Sequence, residues 1–402
     1  MSHDFRLVFA VSLLGTLAAS IGGLAMPLVA ATTLGASVAQ MGWLAAAELL
    51  PFAVLALPAG PWIDRAPKRP VVAGTHALAA LVALAVPFAA WHERLDMALL
   101  YAVGFVQGSC NVIGGTALQI QLLHVVGRGG LLTANARINA GQSALGVAGA
   151  LLTGLAVAVV APAWMMLANA LAYASGAGAA LAVAHREAPS AASSGRHLLR
   201  DIGTGLALIR DTPLLRGLAL YGALWLMLIG GFGALVVLYS TRELGFSAAE
   251  VSLLAAVAGI GASAGALAAR HFAARAGVRA TLLAGFLVSG LALGLYPAAA
   301  AFGAGALVFA GIVRVLKDVG IPLYTVNYIS LRQRIVPDQL LGRVIGALRG
   351  IAVSAAPLGA IAWSRFAEHV GIAAAMHLMG ACGVAVWWLA ARRLPELPAG
   401  AE

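Results

Sequence analysis

Four ionisable residues lie inside apolar stretches of the sequence, where a charge is unusual. Glu48 occurs in WLAAAELLPF, and Arg314, Lys317 and Asp318 occur together in a second apolar stretch. A charge at the centre of a membrane helix costs about 2.5–3.5 kcal/mol on insertion scales, so such residues usually face a cavity or a partner. These four side chains are therefore the first candidates for chemistry.

Glu48 is a candidate for proton binding. It lies ten residues into its apolar segment, which at 1.5 Å per residue corresponds to a depth of about 15 Å, near the middle of a bilayer core. Loss of water disfavours the charged carboxylate, so that proton binding at physiological pH becomes possible. The functional interpretation is a proton-coupling or cation-binding carboxylate. The alternative is an acid that is hydrogen-bonded to a neighbouring helix or lies nearer to the surface.

The Arg314, Lys317 and Asp318 cluster has two interpretations. Arg314 and Asp318 are four residues apart, so they share one face of a helix and can partly neutralise each other. Lys317 is adjacent to that face. The cluster is either a substrate or coupling site on a helix that lines a cavity, or a structural ion pair.

Amide side chains form a third candidate set. They could line an aqueous cavity or hydrogen-bond helices to one another, and the candidates for the cavity are Gln107, Asn111, Asn139 and Gln142. His76, His124 and His377 are isolated, which favours a buried or interfacial histidine at each position. The sequence shows no metal-ligand spacing, phosphate loop or nucleophile motif, so we expect no metal, no cofactor and no enzymatic activity.

The composition identifies the kind of protein that holds these residues. Of 402 residues, 61% are hydrophobic and 10% are charged, whereas soluble domains carry about 25% charged residues. Apolar stretches of the length needed to cross a bilayer recur along the chain. The net charge of +10 is therefore attributed to basic residues in the loops, and it does not indicate nucleic-acid binding. The sequence predicts an all-α polytopic membrane protein.

Twelve spans are predicted from the apolar windows. They lie near 5–31, 38–61, 71–91, 97–123, 138–160 and 163–184, and near 214–239, 248–271, 280–298, 302–326, 343–364 and 370–391. If both termini are cytoplasmic, most of the 25 Lys and Arg residues fall on the cytoplasmic side, and only Arg94, Arg242 and Arg365 fall on the other. This asymmetry predicts a multi-pass protein of the inner (plasma) membrane with cytoplasmic termini.

One long polar interruption divides the spans into two sets of six. We expect an N-terminal six-helix bundle at 1–184, a cytoplasmic linker at 185–213 and a C-terminal six-helix bundle at 214–402. The second part of the linker is basic and amphipathic, so it predicts a helix that lies along the membrane surface.

The two halves resemble each other. GFVQGSCNV at 104–112 aligns with GIVRVLKDV at 311–319, which places Gln107 against Arg314. DRAPKR at 64–69 aligns with ARAGVR at 274–279, so that both arginines are kept and the acid is lost. A duplicated six-helix unit is typical of secondary transporters that move two bundles about a site at the midplane.

The stretch AGPWIDRAPKRPVV resembles the loop between helices two and three of the major facilitator superfamily, whose pattern is roughly Gly-x-x-x-Asp-Arg-x-x-Arg/Lys-Arg. The matching residues are Gly60, Asp64, Arg65, Lys68 and Arg69. Three further runs, at 131–141, 205–220 and 330–360, resemble the branch that contains enterobactin-type exporters and macrolide-efflux-like proteins. The strongest of them contains RQRIVPDQLLGRV.

The resemblance implies two pseudo-symmetric bundles and a secondary transporter that works by alternating access. It implies a proton-coupled exporter of a small amphiphilic molecule, either a drug or a siderophore-like metabolite. Asp64 and the bases of its loop would form a charge clamp on the cytoplasmic side that stabilises the outward-open state. The expected partners are a small-molecule substrate, protons and the lipid bilayer, without nucleic acid, and the expected state is a monomer.

Two alternatives stay open at this point. An importer or a lipid flippase could use the same scaffold, because direction depends on coupling and not on fold. A membrane sensor or assembly subunit could keep the fold without transport, although an intact charged loop argues against it.

Overall fold

The computed structural model describes residues 2–184, 198–336 and 338–395. The regular secondary structure of this described part is helical throughout. The first half, which we call the N-terminal bundle, contains α1 (His3–Leu28), α2 (Val38–Arg65), α3 (Lys68–Trp91), α4 (Met97–Val157) and α5 (Met165–Ala182).

A short helix, α6 (Leu198–Asp211), precedes the second half. The second half, which we call the C-terminal bundle, contains α7 (Pro213–Arg242), α8 (Ala248–Ala276), α9 (Val278–Leu295), α10 (Ala306–Ile335), α11 (Asp338–Val370) and α12 (Ile372–Arg393).

Helix α4 contains 61 residues and bends at Gly127, where φ is +67°. Glycine reaches positive φ without a steric penalty, so the chain can change direction at this single residue. When the two arms of α4 are counted separately and α6 is left aside, the described residues form twelve long helices, as the sequence predicted.

The helices of the fourth and fifth predicted spans extend beyond their apolar windows. The apolar windows stopped at 123 and resumed at 138, whereas the helix continues on both sides of Gly127. Hydropathy marks the part of a helix that lies in hydrocarbon, and backbone hydrogen bonds continue beyond it.

Ten segments of the described residues are long and apolar enough to cross a bilayer. One of them, Val278–Ile329, contains α9 and most of α10, which are joined by a 3-10 helix at Tyr296–Gly305. The prediction of a polytopic helical membrane protein is thereby confirmed.

The chain forms two compact units. The first comprises the N-terminal bundle with residues 247–256 at the start of α8, and the second comprises α6, α7 and the chain from residue 257 onward. In the first unit α4 packs against α1, α2 and α3, and α5 packs against α1 and α3. In the second unit α7 packs against α11, and α9 packs against α10 and α12.

The predicted linker contains one described helix, α6, and Ile209 near its end packs on protein. Ile209 is 5% exposed and forms a buried cluster with Leu215 of α7 and with Val344 and Leu348 of α11. Its position along a membrane surface stays a prediction.

The two halves repeat local structure at a constant separation in sequence. This separation equals the number of residues from Arg65 to Arg275, and we call it the repeat offset. At the start of α2, Ser37 Oγ accepts a hydrogen bond from Gln40 N (3.2 Å), and Gln40 Oε1 accepts one from Ser37 N (2.7 Å). One repeat offset later, Ser247 and Glu250 form the same capping box at the start of α8, at 3.3 and 2.8 Å. Such a box satisfies free N–H groups at a helix start. Its repetition supports the predicted duplication.

Helix packing corrects the register of that duplication. Gln107 Nε2 of α4 donates to Ala79 O of α3 at 3.3 Å, and Ser289 Oγ of α9 donates to Lys317 O of α10 at 3.1 Å. The repeat offset relates Ala79 to Ser289 and also relates Gln107 to Lys317, so Gln107 corresponds to Lys317 and not to Arg314. The sequence alignment had the correct helices but was shifted by nearly one helical turn.

Candidate functional site

Glu48 is half-buried on α2 and packs against α4. A Cβ at Gly104 would lie 3.0 Å from Glu48 Cγ, and a Cβ at Gly108 would lie 2.4 Å from Glu48 O. The two glycines therefore let α4 approach the turn of α2 that carries the acid. No described residue forms an ion pair or a hydrogen bond with the Glu48 carboxylate.

The charged cluster of the C-terminal bundle is centred on a buried ion pair. Lys317 Nζ lies 2.8 Å from Asp318 Oδ1, and the two side chains are 6% and 14% exposed. The centre of the Phe232 ring on α7 lies 5.2 Å from Lys317 Nζ and 5.5 Å from Arg314 Cζ. Both cations thus face one aromatic ring, an arrangement that stabilises positive charge at a low-dielectric site.

The pairing inside this cluster differs from the sequence expectation. The four-residue spacing favoured Arg314 and Asp318, whereas the structure pairs Asp318 with Lys317. Arg314 Nε and Asp318 Oδ2 are buried and have no hydrogen-bond partner among the described residues. Spacing on a helix determines which residues share a face, but side-chain rotamers decide which of them meet.

Gln107 connects helices of the N-terminal bundle. Its Nε2 also donates to Asn169 Oδ1 of α5 at 2.9 Å, and Asn169 Nδ2 donates to Ala18 O of α1 at 2.7 Å. Both side chains are buried. This network joins α1, α3, α4 and α5, so the structural interpretation fits Gln107 better than the cavity interpretation.

A partly open cavity of about 200 Å³ lies between helices of the N-terminal bundle. It contains Asn111 and Gln142, two of the amides that the sequence predicted to line a cavity, while Gln107 and Asn139 are not in its wall. The remaining lining residues come from α1, α3, α4 and α5 and are Val11, Ser12, Gly15, Thr16, Ala19, Thr75, His76, Cys110, Gly115, Leu118 and Tyr173.

The polar side chains in this wall are connected in pairs. Tyr173 OH donates to Asn111 Oδ1 at 3.0 Å, and Gln142 Nε2 donates to Ser12 Oγ at 2.9 Å. Asn139, in contrast, is exposed, and its side chain has no hydrogen bond with another described residue. The four predicted amides therefore divide into one that joins helices, two that line the cavity and one that is exposed.

His76 is buried, in line with one of the two placements that the sequence favoured, and it belongs to the cavity wall, a role that the sequence did not assign to it. It is 8% exposed, its Nδ1 lies 2.9 Å from Val72 O, and its ring meets the Tyr173 ring edge to face at 5.7 Å. Its Nε2 has no hydrogen-bond partner among the described residues. The available signal was an ionisable residue inside an apolar span, which is the same signal that identified Glu48.

The charged loop of the N-terminal bundle is described only in part. Gly60 and Asp64 lie in α2, but their side chains fall outside the described part of the structure. Arg65 is exposed and Lys68 is buried. Arg69 Nη2 at the start of α3 donates to Leu181 O at the end of α5, where a cation offsets the negative end of the helix dipole.

The same contact is repeated in the C-terminal bundle. Arg279 Nη2 at the start of α9 donates to Ala391 O at the end of α12, at 2.7 Å. Arg279 and Ala391 each follow their counterparts, Arg69 and Leu181, by the repeat offset. One of the two arginines that the loops share, Arg69 with its counterpart Arg279, therefore joins two helices in each half.

No group of three His, Cys, Asp or Glu side chains suited to a metal ion occurs among the described residues.

Comparisons with known proteins identify the family. The family model described as Major Facilitator Superfamily matches residues 8–242. The uncharacterized MFS-type transporter y4rN of Sinorhizobium fredii (strain NBRC 101917 / NGR234) is 28% identical over 327 residues, which cover 79% of this chain and 78% of that protein.

Solved structures show the same fold at low sequence identity. The nucleoside transporter NupG has a TM-score of 0.77 at 12% identity, with 98% of this chain and 100% of that chain covered. A D-xylose-proton symporter has a TM-score of 0.73 at 12% identity, with 99% of each chain covered. A bacterial homologue of the iron transporter ferroportin has a TM-score of 0.68 at 17% identity, with 96% of this chain and 100% of that chain covered.

Proposed function

Because this chain belongs to the Major Facilitator Superfamily, whose members move small molecules by alternating access, we propose that it is a proton-coupled exporter of a small amphiphilic molecule in the inner membrane. The proposed cargo is a drug or a siderophore-like metabolite, as the resemblance to enterobactin-type and macrolide-efflux-like exporters implies. Sequence similarity in three separate runs supports this branch.

The observation that carries the proposal is the environment of Glu48. Its carboxylate lies in an apolar helix of the N-terminal bundle, against Gly104, without a cationic partner among the described residues. A buried carboxylate without a counter-ion is more stable when it is protonated, and it becomes easier to ionise when water reaches it. Alternating exposure of Glu48 would thus bind a proton on one side of the membrane and release it on the other.

The other candidate residues receive separate roles in this proposal. Asn111 and Gln142 contact the cargo in the cavity of the N-terminal bundle. The Lys317–Asp318 pair and Arg314 form the polar part of the C-terminal bundle's site. Asp64 acts in the cytoplasmic gate, and Asp64→Asn should abolish export at normal expression. Full export by that variant would contradict the gate.

Everted membrane vesicles with an imposed pH gradient test direction and coupling. The probes are radiolabelled erythromycin and a radiolabelled catecholate siderophore, each added outside the vesicles. We expect accumulation of one probe when the vesicle interior is acidic, since protons then leave as cargo enters, and we expect no accumulation without a gradient.

Glu48→Gln is the variant that tests the coupling residue. Probe binding should persist while gradient-driven accumulation disappears, because an amide keeps the shape of the side chain but cannot carry a proton. Glu243→Gln is the matched control, since Glu243 is an exposed acid at the end of α7. Accumulation only in right-side-out vesicles would indicate an importer, and gradient-driven transport by Glu48→Gln would exclude this carboxylate.

A further inference from the structure

We infer that the cavity inside the N-terminal bundle binds an uncharged, hydroxyl-bearing part of a small molecule, and that His76 is its hydrogen-bond acceptor. The inference rests on the proposed function in one respect, because it takes the bound molecule to be the transported one. It adds the chemical class of the group that enters the cavity and a recognition residue outside the predicted set.

The hydrogen bond of Nδ1 determines what the other nitrogen of His76 can do. Nδ1 lies 2.9 Å from Val72 O, and a carbonyl oxygen only accepts, so Nδ1 carries the hydrogen. In the neutral ring Nε2 is then an acceptor. This atom is buried and lacks a partner among the described residues. Native proteins pair most buried polar atoms, so we infer that a group from outside the chain completes the contact.

Two glycines bracket the His76 ring. A Cβ at Gly176 on α5 would lie 2.6 Å from His76 Cδ2, so any side chain there would displace the ring. A Cβ at Gly15 on α1 would lie 3.4 Å from Nε2, and Gly15 itself lines the cavity. Gly15 therefore lies beside both the nitrogen and the cavity.

Asn111 supplies the complementary donor. Its Oδ1 is occupied by the Tyr173 hydroxyl, whereas its amide nitrogen keeps two hydrogens that can be donated. A hydroxyl group donates one hydrogen bond and accepts others, so one hydroxyl can donate to His76 Nε2 while another accepts from Asn111. The wall thus offers the acceptor and the donor that a hydroxylated group requires.

The remaining wall argues against a charged group. Asp, Glu, Lys and Arg are absent from the lining residues, and a buried ion without a counter-charge loses its hydration without compensation. The volume of about 200 Å³ exceeds the ~150 Å³ in which a buried cavity binds benzene. A single substituted ring therefore fits.

The equivalent position in the C-terminal bundle holds a packed aromatic side chain. Phe286, which the repeat offset relates to His76, is 1% exposed and packs against Trp225 and Tyr324, with ring centres 5.5 and 4.6 Å away. The position equivalent to His76 thus accepts an aromatic side chain without a polar atom. His76→Phe is for that reason the natural variant, since it keeps a ring and removes the acceptor.

Ligand-detected NMR on the full chain in lipid nanodiscs tests the inference. The probe is resorcinol, with 1,3-dimethoxybenzene as the analogue without donors and 3-hydroxybenzoate as the anionic analogue. We expect resorcinol to bind at least about tenfold more tightly than either analogue, which corresponds to roughly one hydrogen bond. His76→Phe should remove that preference.

Gly15→Ala is the second variant, because it places a methyl group beside Nε2 at a normal contact distance and need not disturb the fold. It should weaken resorcinol binding about as much as His76→Phe does. Gly74→Ala on α3 is its matched control, since a Cβ there meets nothing within 4 Å, and it should bind resorcinol like the unsubstituted protein.

The two cysteines locate the bound probe. Cys110 lies in the cavity wall, and Cys382 lies in α12. Resorcinol should slow the reaction of Cys110 with methyl methanethiosulfonate and leave the reaction of Cys382 unchanged. Equal binding of all three compounds, unchanged binding in both His76→Phe and Gly15→Ala, or equal protection of both cysteines would each overturn the inference.

Failure here is distinguishable from failure of the proposed function. Resorcinol binding is measured without a pH gradient or transport, so an importer or an uncoupled protein would still show it. If the cavity does not discriminate among the three compounds but the vesicles still show gradient-driven export, the binding site inferred here is wrong and the proposed function stands.

Discussion

The N-terminal and C-terminal bundles repeat one architecture and differ in what lies inside it. Both contain the serine capping box and the arginine that joins two helices, each related by the repeat offset. At the same offset, however, Glu48 and His76 correspond to the buried Ala258 and Phe286. Groups that can bind a proton or accept a hydrogen bond in one half are thus apolar in the other.

At a third pair of equivalent positions, the charged residue lies in the C-terminal bundle and the uncharged residue lies in the N-terminal bundle. Gln107 of the N-terminal bundle joins three neighbouring helices, whereas its counterpart Lys317 forms an ion pair with Asp318. Among the described residues, Glu48 and the cavity described above lie in the first bundle, and the Lys317–Asp318 pair lies in the second. The comparison indicates that capping and helix ends preserve the fold after duplication, while interior positions diverge in chemistry.

Glycines allow close helix contacts in both bundles. A Cβ at Gly230 of α7 would lie 2.1 Å from Ala356 O of α11, and a Cβ at Gly108 of α4 would lie 2.4 Å from Glu48 O of α2. Beside the cavity of the N-terminal bundle, Gly176 of α5 instead meets the His76 side chain. Direct backbone contact is therefore common to the two bundles, and the polar side chain beside the cavity is where they differ.

The largest expected effect comes from breaking the buried ion pair. Asp318→Asn leaves the buried Lys317 and the half-buried Arg314 without an acid partner among the described residues, and removal of one partner of a buried pair costs about 3–5 kcal/mol. We expect the free energy of unfolding of the protein in detergent to fall by about this amount. Thermal denaturation followed by tryptophan fluorescence measures the change.

The double variant Lys317→Met with Asp318→Asn is the control for this prediction. It restores the original net charge of the cluster, so most of the lost stability should return. If Asp318→Asn were as stable as the unsubstituted protein, the charged cluster would not stabilise the C-terminal bundle. The two bundles would then not differ in how buried charges contribute to stability.

Gly230→Ala should have the next largest effect. Its Cβ would meet Ala356 O at 2.1 Å, so α7 and α11 must move apart, and overpacking typically costs about 1–3 kcal/mol. Gly233→Ala on the same helix meets nothing within 4 Å and should be neutral or slightly stabilising, because alanine favours helix over glycine. Equal thermal stability of the two variants would show that backbone contact does not limit this bundle.

The sequence predicted most of the fold and part of the candidate site. Apolar windows located twelve helices, and the polar linker separated two sets of six, because burial in hydrocarbon leaves a strong compositional signal. Charges in these windows identified Glu48 and the cluster around Lys317. The ends of the helices were less predictable, as at Gly127, where helical structure continues beyond the apolar window.

The cavity could not be predicted, because its wall is assembled from distant positions. Ser12, His76, Asn111, Gln142 and Tyr173 lie on different helices or helix arms, and only packing brings them together. The sequence therefore identified Asn111 and Gln142 as polar but grouped them with Gln107, which joins helices, and with Asn139, which is exposed. It placed His76 as a buried or interfacial histidine but did not assign it to a cavity, since an isolated histidine has no partner at any regular spacing.

The smallest expected effect distinguishes stability from recognition in the N-terminal bundle. Gln142→Ala removes the half-buried hydrogen bond to Ser12 Oγ, and such bonds between membrane helices contribute about 0.6 kcal/mol on average. Thermal denaturation should therefore shift only slightly, and Ser12→Ala added to Gln142→Ala should cost almost nothing more. Asn139→Ala, at an exposed position of the same helix arm, should not shift it at all. A loss as large as that of Asp318→Asn would mean that the polar wall stabilises the bundle, and these residues would then have a structural role where we infer one in binding.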